Sequence, residues 1–438
     1  MTIRAASPAP APRGHTLIEL MVAIVCGMIL VLAAFKVLAD FEGGKRTTTA
    51  MNDALQSGNV GLFEFEKLIR SAGTGMTQYA RLVGYGCALN YTPTGGTLIT
   101  SGVITGTLQS PFAGVVGTST APLRLVPALI FGGASAALGT SDSAFATAAT
   151  SDVLLFMLGG AGFGETPVAV SNATVPPTLQ SIVGFGPGDW VVDAASSLGD
   201  CMITNVNSTL FTAGGGPGNA GWTSPLLKLP LGPAGNTSQV GNKTLALSDY
   251  ILDLGNGTAA NFLLFGVDST TATLRSIDLL NSNPTSAPQN VSDDVVLLKA
   301  VYEVDPDNTG IGHWVLPGGS YTSSGVTYNY SPSSGTDCLL CGTNTASLAL
   351  QAIKAIRIAL IVRAPIQENA SQTQNAGIGN MSNFNAQSYP LFSSLSSSTT
   401  TCATPCSTWY PPQGTSSQPQ NYRYREIETT VPVRNNRL

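Results

Sequence analysis

The feature that most constrains this chain is an apolar stretch without a single charge, residues 20–35, close to the N-terminus. It follows a short leader, residues 1–14, that ends in Gly14. A helix over residues 15–38 would be about 36 Å long at roughly 1.5 Å per residue, which is enough to cross about 30 Å of bilayer hydrocarbon. The sequence therefore predicts a membrane anchor.

The position of Gly14 distinguishes this segment from an ordinary secretory signal. A secretory signal has its small-residue cleavage site after the apolar region, whereas this glycine comes before it. Cleavage after Gly14 would leave the hydrophobic helix on the mature protein, with His15 as its first residue. We therefore expect a leader, residues 1–14, and a long helix, residues 15–73, of which residues 15–38 form the transmembrane and assembly part.

Glu19 places a carboxylate at the start of this apolar helix. A charged side chain at the centre of a membrane helix costs roughly 2.5–3.5 kcal/mol on insertion scales, and such residues are usually functional. One interpretation places Glu19 near the membrane edge, where its side chain reaches the headgroups. The other pairs it with a cation, and the nearest one is the new α-amino group of His15, in this chain or in a neighbour. We favour the pairing because leader, Gly14, Glu19 and apolar stretch occur together.

Residues 13–23, with the sequence RGHTLIELMVA, resemble the type IV pilin signature, in which a prepilin peptidase cuts after the glycine. In that family the same enzyme N-methylates the new terminal amine, and the glutamate neutralises the amine of an adjacent subunit during assembly. The resemblance assigns processing to Gly14 and His15, and assembly to Glu19. His15 departs from the Phe that is usual at the first mature position. This departure bears on methylation, because cleavage depends mainly on the glycine.

The remainder of the chain predicts a β-rich globular part. Charged residues make up only 10% of the chain, against about a quarter in an average soluble domain, and Gly, Ser, Thr, Asn and Pro are abundant. Short apolar runs alternate with turn-forming loops, which indicates strands. The strands predicted from these runs cover residues 153–158, 190–194, 250–254, 262–267, 273–279, 295–304, 355–362 and 422–431.

These elements predict an α+β, pilin-like fold. The second half of the helix repeats apolar residues at helical spacing and should lay that stripe on an antiparallel sheet, with Gly43 and Gly44 as a kink or weak point. Residues 74–438 would then form the globular periplasmic domain, with β-rich and loop insertions. Within it, residues 365–421 are rich in Ser and Thr and contain a single charged residue, so we expect a long loop or insertion there.

Several downstream segments resemble the PilW-type minor pilins: residues 189–190 followed by Cys201, 302–305, 355–363 and 429–435. The resemblance implies a minor pilin that starts or assembles a type IV pilus. Its partners would be other minor and major pilins, the prepilin peptidase and the inner-membrane assembly platform. Before assembly the protein would cross the inner membrane once, with its domain in the periplasm, and after assembly it would lie in the pilus.

Two other functions stay open at this point. The leader is shared by all pilins and pseudopilins, so a type II secretion pseudopilin is one alternative. The second is a surface-binding adhesin at a pilus tip, because Ser/Thr/Asn-rich insertions suit contact with a host, DNA or a surface. Genes for minor pilins or for secretion beside this one would decide the first choice. Deleting residues 365–421 would test the second.

Seven cysteines are present, and Cys26 lies within the apolar stretch. An even set in an exported domain favours disulfides, because export leads to an oxidising compartment. The alternative is a zinc site, formed by Cys338 and Cys341, which have two residues between them, and by Cys402 and Cys406, which have three. The disulfide candidates are Cys87, Cys201, Cys338, Cys341, Cys402 and Cys406.

The sequence gives little support for catalysis, cofactors or nucleic-acid binding. A net charge of −5 is atypical of nucleic-acid binders, which usually carry a basic field. A catalytic histidine would have to be His313, since the only other one is His15. Residues 216–221 match G-x-G-x-x-G, but the prolines that follow are unsuitable for the helix that a dinucleotide site needs. We predict neither enzymatic activity nor a cofactor.

One segment gathers oxygen ligands in the manner of a calcium loop. Asp305, Asp307 and Asn308 provide them, with Gly310 in the sixth position counted from Asp305. The twelfth position is Leu316, which has no carboxylate for bidentate binding. Asp-Pro and Asn-Thr-Gly are also ordinary turn sequences. The sequence therefore favours a hairpin turn, with calcium as the alternative.

Overall fold

The protein is described by a computed structural model that covers residues 16–76, 85–91, 99–100, 103–104, 108–115, 122–140, 148–160, 166–173, 177–195, 199–206, 229, 231, 239–240, 243–244, 246–247, 249–281, 286–366, 389–392, 407–409 and 422–433. The architecture is one long N-terminal helix followed by sheets whose strands are mostly antiparallel. The predicted α+β class, with a long helix on an antiparallel sheet, is confirmed.

The long helix, α1 (Leu17–Ser71), is continuous over 55 residues. At about 1.5 Å per residue it extends roughly 83 Å. Thr16 is its N-cap, and the Thr16 hydroxyl oxygen accepts a hydrogen bond from the Glu19 N–H at 3.3 Å. The helix gives way to a turn in which Gly73 has a φ of 80°, close to the predicted end. It passes without interruption through Gly43 and Gly44, where the sequence predicts a kink or weak point.

Among the described residues, the remaining regular elements are a short 3-10 helix (Phe112–Gly114), a second α-helix, α2 (Asn344–Gln351), and the strands. In chain order these are β1 (Ala88–Tyr91), β2 (Ile99–Thr100), β3 (Val103–Ile104), β4 (Ala128–Thr140), β5 (Ala148–Leu158), β6 (Val168–Asn172), β7 (Thr178–Leu179), β8 (Trp190–Ala194), β9 (Asp200–Asn205), β10 (Gln239–Val240), β11 (Lys243–Thr244), β12 (Tyr250–Gly255), β13 (Asn261–Asp268), β14 (Thr273–Asp278), β15 (Gln289–Asp293), β16 (Val295–Val304), β17 (His313–Val315), β18 (Ser320–Ser323), β19 (Val326–Asn329), β20 (Ile353–Arg363), β21 (Tyr389–Leu391), β22 (Ser407–Trp409) and β23 (Tyr424–Pro432).

Three larger sheets organise these strands. The eight-stranded sheet has the order β3-β2-β1-β9-β8-β12-β6-β7, and its β1–β9 pair is parallel. The five-stranded sheet has the order β15-β14-β13-β5-β4, and the four-stranded sheet the order β17-β16-β20-β23. All eight predicted strands are present. The chain passes from the five-stranded to the four-stranded sheet at Asp294, which adopts a φ of 61° between β15 and β16.

The second half of α1 packs against both the four-stranded and the five-stranded sheet. Phe65 is fully buried, with its ring centroid 5.1 Å from that of Phe265 and 6.2 Å from that of Phe156. Gly58 and Gly61 allow the close approach. A Cβ at Gly58 would lie 2.6 Å from side-chain atoms of β20 and β23, which is shorter than any ordinary contact. The predicted helix-on-sheet core is thus formed.

Buried polar contacts join the five-stranded sheet to β16. The Ser151 hydroxyl donates to the Leu298 carbonyl at 3.1 Å and accepts from the Leu298 N–H at 3.0 Å. The Asp152 carboxylate accepts from Lys299 Nζ at 2.9 Å and from a β16 backbone N–H. Because these groups are buried, their hydrogen bonds fix the sheets in one register.

The predicted insertion, residues 365–421, contains a hairpin rather than loop alone. Strand β21 pairs with strand β22 in antiparallel fashion along its whole length, Tyr389–Leu391. Leu391 and Phe392 are buried against the face of the four-stranded sheet that carries Ala359 and Ile361. The Phe392 N–H donates to a carboxylate oxygen of Glu428 on β23 at 2.6 Å. The hairpin therefore covers apolar surface on that sheet.

Candidate functional site

The first half of α1 is the most exposed apolar surface among the described residues. No described side chain between residues 17 and 49 is buried, and large apolar side chains such as Leu17, Leu30 and Phe35 are 76%, 70% and 64% exposed. This half is about 50 Å long at roughly 1.5 Å per residue. Because its apolar side chains point in every direction, it requires lipid or other helices around it rather than one sheet face.

This helix is long and apolar enough to cross a membrane. Its most apolar 18-residue window has a mean hydropathy of 2.7, and none of that window is buried within the protein. A soluble core helix with this composition would instead be covered by the rest of its domain. The predicted N-terminal apolar helix is therefore present, and its most apolar part is uncovered.

Glu19 lies in the first turn of α1, three residues after the N-cap Thr16. The pair Thr16-x-x-Glu19 is the sequence pattern of a capping box, and a carboxylate is favourable at the positive end of the helix dipole. Glu19 is exposed, so it is available to a cation from outside the chain. The sequence analysis missed the capping role of the Thr16 hydroxyl, which accepts the hydrogen bond from the Glu19 N–H. Gly14 and His15 lie outside the described residues.

Four of the six predicted cysteines form two disulfides. Cys87 and Cys201 pair with a Cα–Cα distance of 5.5 Å, between the segment before β1 and strand β9, and both are fully buried. Cys338 and Cys341 pair with a Cα–Cα distance of 4.9 Å in the loop before α2. Cys26 is free and exposed. The remaining two, Cys402 and Cys406, lie outside the described residues.

The disulfide accounts for the sulfurs of Cys338 and Cys341, which the zinc alternative would need as thiolates. Within the described ranges, no group of three or more His, Cys, Asp or Glu side chains is arranged to hold a metal ion. The alternative zinc set would also need Cys402 and Cys406. In the structure, Cys338 and Cys341 are therefore bonded to each other rather than left as zinc ligands.

The calcium candidates lie in the turn of the hairpin that joins β16 to β17. The Asp305 carboxylate accepts hydrogen bonds from the backbone N–H groups of Thr309 at 3.0 Å and Gly310 at 2.8 Å. Burial opposes ionisation of Asp305, but these hydrogen bonds hold the pKa of its carboxyl below the ordinary value. The Asp307 carboxylate instead accepts from the Ser323 hydroxyl. The two carboxylates therefore accept hydrogen bonds from different parts of the chain: Asp305 from its own turn and Asp307 from β18.

His313 begins β17 and stacks on Tyr321, with their ring centroids 4.5 Å apart. It is partly exposed, and its backbone pairs with Val304. This arrangement gives the imidazole a packing role. The G-x-G-x-x-G match at residues 216–221 lies outside the described residues.

Among the comparisons with known proteins, the family match lies at the N-terminus. A family model described as the prokaryotic N-terminal methylation motif matches residues 11–35, which include the end of the predicted leader and the first part of α1. No curated protein matches the chain. Among solved structures, the chain is similar to a type IV-like pilin from Thermus thermophilus at 14% identity, covering 41% of this chain and 67% of that one with a TM-score of 0.18.

The matched motif and the geometry agree on one segment. The motif continues from the predicted leader into α1, and there α1 begins an exposed apolar half that is long enough to cross a membrane. A TM-score of 0.18 is too low to add to the assignment. The chain therefore carries a prokaryotic N-terminal methylation motif that continues into its long exposed apolar helix.

Proposed function

We propose that this chain is a minor pilin of the PilW type, processed by prepilin peptidase, that initiates or assembles the type IV pilus. The observation that carries the proposal is the methylation motif at residues 11–35, placed at the head of an uncovered apolar helix. Cleavage after Gly14 would leave all of α1 on the mature chain, since the helix begins at Leu17. The resemblance of the downstream segments supports the PilW type.

Partners and location follow from the same segment. The uncovered half of α1 needs other pilin helices in a filament, and lipid before assembly, so its partners are other minor and major pilins. Prepilin peptidase and the inner-membrane assembly platform act on it before that stage. The globular domain would then lie in the periplasm and later on the pilus. A buried disulfide between Cys87 and Cys201 supports an oxidising compartment.

We infer that the role is structural rather than enzymatic. In the turn between β16 and β17, the carboxylates of Asp305 and Asp307 accept hydrogen bonds. His313 is stacked on Tyr321. A type II secretion pseudopilin shares the leader and the helix, so it is the alternative that an experiment must separate. Deleting the gene should abolish or reduce surface pili and leave type II secretion unchanged. Loss of secretion with normal pili would establish the pseudopilin instead.

The N-terminal residues can be tested directly in cells. Replacing Gly14 with Leu should block removal of the leader, which mass spectrometry of the membrane-bound protein detects. Glu19→Ala should be processed but should fail to enter the pilus, because the carboxylate that meets the neighbouring amine is lost. Glu42→Ala, at an exposed position of the same helix, is the matched control and should assemble normally. Normal processing and assembly of both the Gly14 and Glu19 variants would refute the proposal.

A further inference from the structure

The two disulfides differ in how a reductant can reach them. Cys87 and Cys201 are both fully buried within the main core. Cys338 is also buried, whereas Cys341 is partly exposed and ends the short loop before α2. Thiol–disulfide exchange begins with the attack of a thiolate on an accessible sulfur. Of these four sulfur-bearing residues, Cys341 offers such access.

One guanidinium and the start of a helix lie near the Cys341 end of that loop. The Arg124 Nε–H donates to the Leu340 carbonyl at 2.7 Å, and the Arg124 guanidinium lies directly against Gly342. Helix α2 begins at Asn344 with Thr343 as its N-cap, so its positive end is close to Cys341 in sequence. A guanidinium and a helix N-terminus both stabilise a thiolate. Asp337 precedes the loop, and Asp200 is the acidic group that acts on Arg124.

Arg124 also connects this loop to the rest of the domain. Its second nitrogen, Nη1, donates to the Gly86 carbonyl at 2.5 Å, next to Cys87. The backbone N–H groups of Leu339 and Leu340 donate to the carbonyls of Ser331 and Pro332 and close the loop on itself. Opening the Cys338–Cys341 bond would therefore leave this loop held by its hydrogen bonds and by the burial of Leu339 and Leu340, and would leave the Cys87–Cys201 bond in place.

We propose that Cys338–Cys341 is a thiol–disulfide exchange site whose substrate is a dithiol protein of the oxidoreductase class. A thiolate of the dithiol attacks Cys341 Sγ, forms a mixed disulfide and releases Cys338 as a thiolate, which takes up a proton. The second thiol of the dithiol then attacks the dithiol's first sulfur, which is bonded to Cys341 Sγ in the mixed disulfide. This step releases Cys341 as a thiolate, which also takes up a proton. The dithiol is oxidised to a disulfide by two electrons, and Cys338 and Cys341 are reduced to thiols.

The test compares the two bonds within one protein. The full chain in detergent micelles is equilibrated with increasing dithiothreitol, the free thiols are alkylated, and peptide mass spectrometry reads each cysteine separately. Half-reduction of Cys338–Cys341 is expected at a dithiothreitol concentration at least tenfold lower than that for Cys87–Cys201. Circular dichroism should show a folded domain at that point. Reduction of both pairs at one concentration, or only with unfolding, would overturn the proposal.

A second variant tests the electrostatic part. Arg124→Gln, if folded by circular dichroism, should slow complete reduction of Cys338–Cys341 by dithiothreitol several-fold, because the second step, which releases Cys341 as a thiolate, loses the guanidinium that lies against Gly342. Arg70→Gln removes a cation from α1, far along the chain from this loop, and should leave the rate unchanged. Equal rates in the wild type and Arg124→Gln would show that the guanidinium has no part in the exchange. The tenfold selectivity in the wild type is measured independently of either variant.

Discussion

The two halves of α1 share one continuous helix and have opposite surroundings. Residues 17–49 include no buried described side chain, whereas in the second half Ala54, Phe65 and Ile69 are fully buried. Both halves are rich in apolar residues, so composition alone does not separate them. The difference teaches that a helix can serve association along one part of its length and folding along another without a break between them.

The arrangement of polar residues explains this difference. In the first half, apolar side chains occupy every direction and charges are absent from residues 20–35. In the second half, Asn52, Gln56 and Lys67 take the exposed positions and leave one apolar face for the sheets. A helix that is apolar all round must be surrounded, and an amphipathic one needs a single covering surface. Stability should therefore depend on the second half and assembly on the first.

The largest expected effect concerns two phenylalanines of the second half that differ in burial. Phe65→Ala removes a fully buried ring and should lower the free energy of unfolding by about 3–5 kcal/mol. Phe63, two residues earlier, is 64% exposed. Phe63→Ala should therefore change the free energy of unfolding by less than about 0.5 kcal/mol. Denaturant unfolding of the full chain in detergent measures both. Similar losses in the two variants would contradict the observed orientation of the helix.

A buried carboxyl predicts pH dependence for the folded part. Asp253 is fully buried, and this burial raises the pKa of its carboxyl to about 7. The Gly255 N–H donates a hydrogen bond to the carboxylate at 2.8 Å and opposes this rise in pKa. Its Oδ2 has no hydrogen-bond partner among the described residues. The folded state keeps a proton that the unfolded chain releases, so this contribution to stability is complete below about pH 4 and is lost as pH rises toward 7.

Replacing Asp253 with Asn removes this titration and retains an acceptor for the Gly255 N–H. The variant should be more stable than the wild type by about 2–4 kcal/mol at pH 8, since each pKa unit corresponds to about 1.4 kcal/mol. The difference should shrink as pH falls to 4, and thermal unfolding across pH 4–8 measures it. Asp40→Asn, in the exposed half of α1, is the control with no expected change. A pH-independent difference would contradict the proposed titration.

The smallest effect compares two glycines of α1. A Cβ at Gly58 would lie 2.6 Å from atoms of Ile427 and Val362, whereas nothing lies within 4 Å of a Cβ at Gly44. Gly58→Val should therefore lower the free energy of unfolding by about 1–3 kcal/mol through overpacking. Gly44→Val should leave it almost unchanged. Equal effects, measured by denaturant unfolding, would mean that the helix does not approach the sheet so closely.

The sequence alone predicted what depends on local chemistry. The extent of α1, the α+β class and strands such as β8 and β16 follow from apolar periodicity and turn residues that neighbours along the chain provide. Strand β4 was missed, because its Gly- and Ala-rich second half lacks the β-branched and aromatic residues typical of strands. The hairpin within residues 365–421 was also missed, since its strands are only three residues long.

Tertiary structure decided the features that join distant residues. Six cysteines allow 15 pairings, and only the packing of β1 beside β9 brings Cys87 within 5.5 Å of Cys201. The burial of Asp253 and the close approach at Gly58 depend likewise on strands far away in sequence. By itself the sequence predicted one long helix with an apolar first part and an amphipathic second part, because hydropathy and spacing act locally. Which surfaces meet that helix depends on contacts between segments that are brought together only by folding.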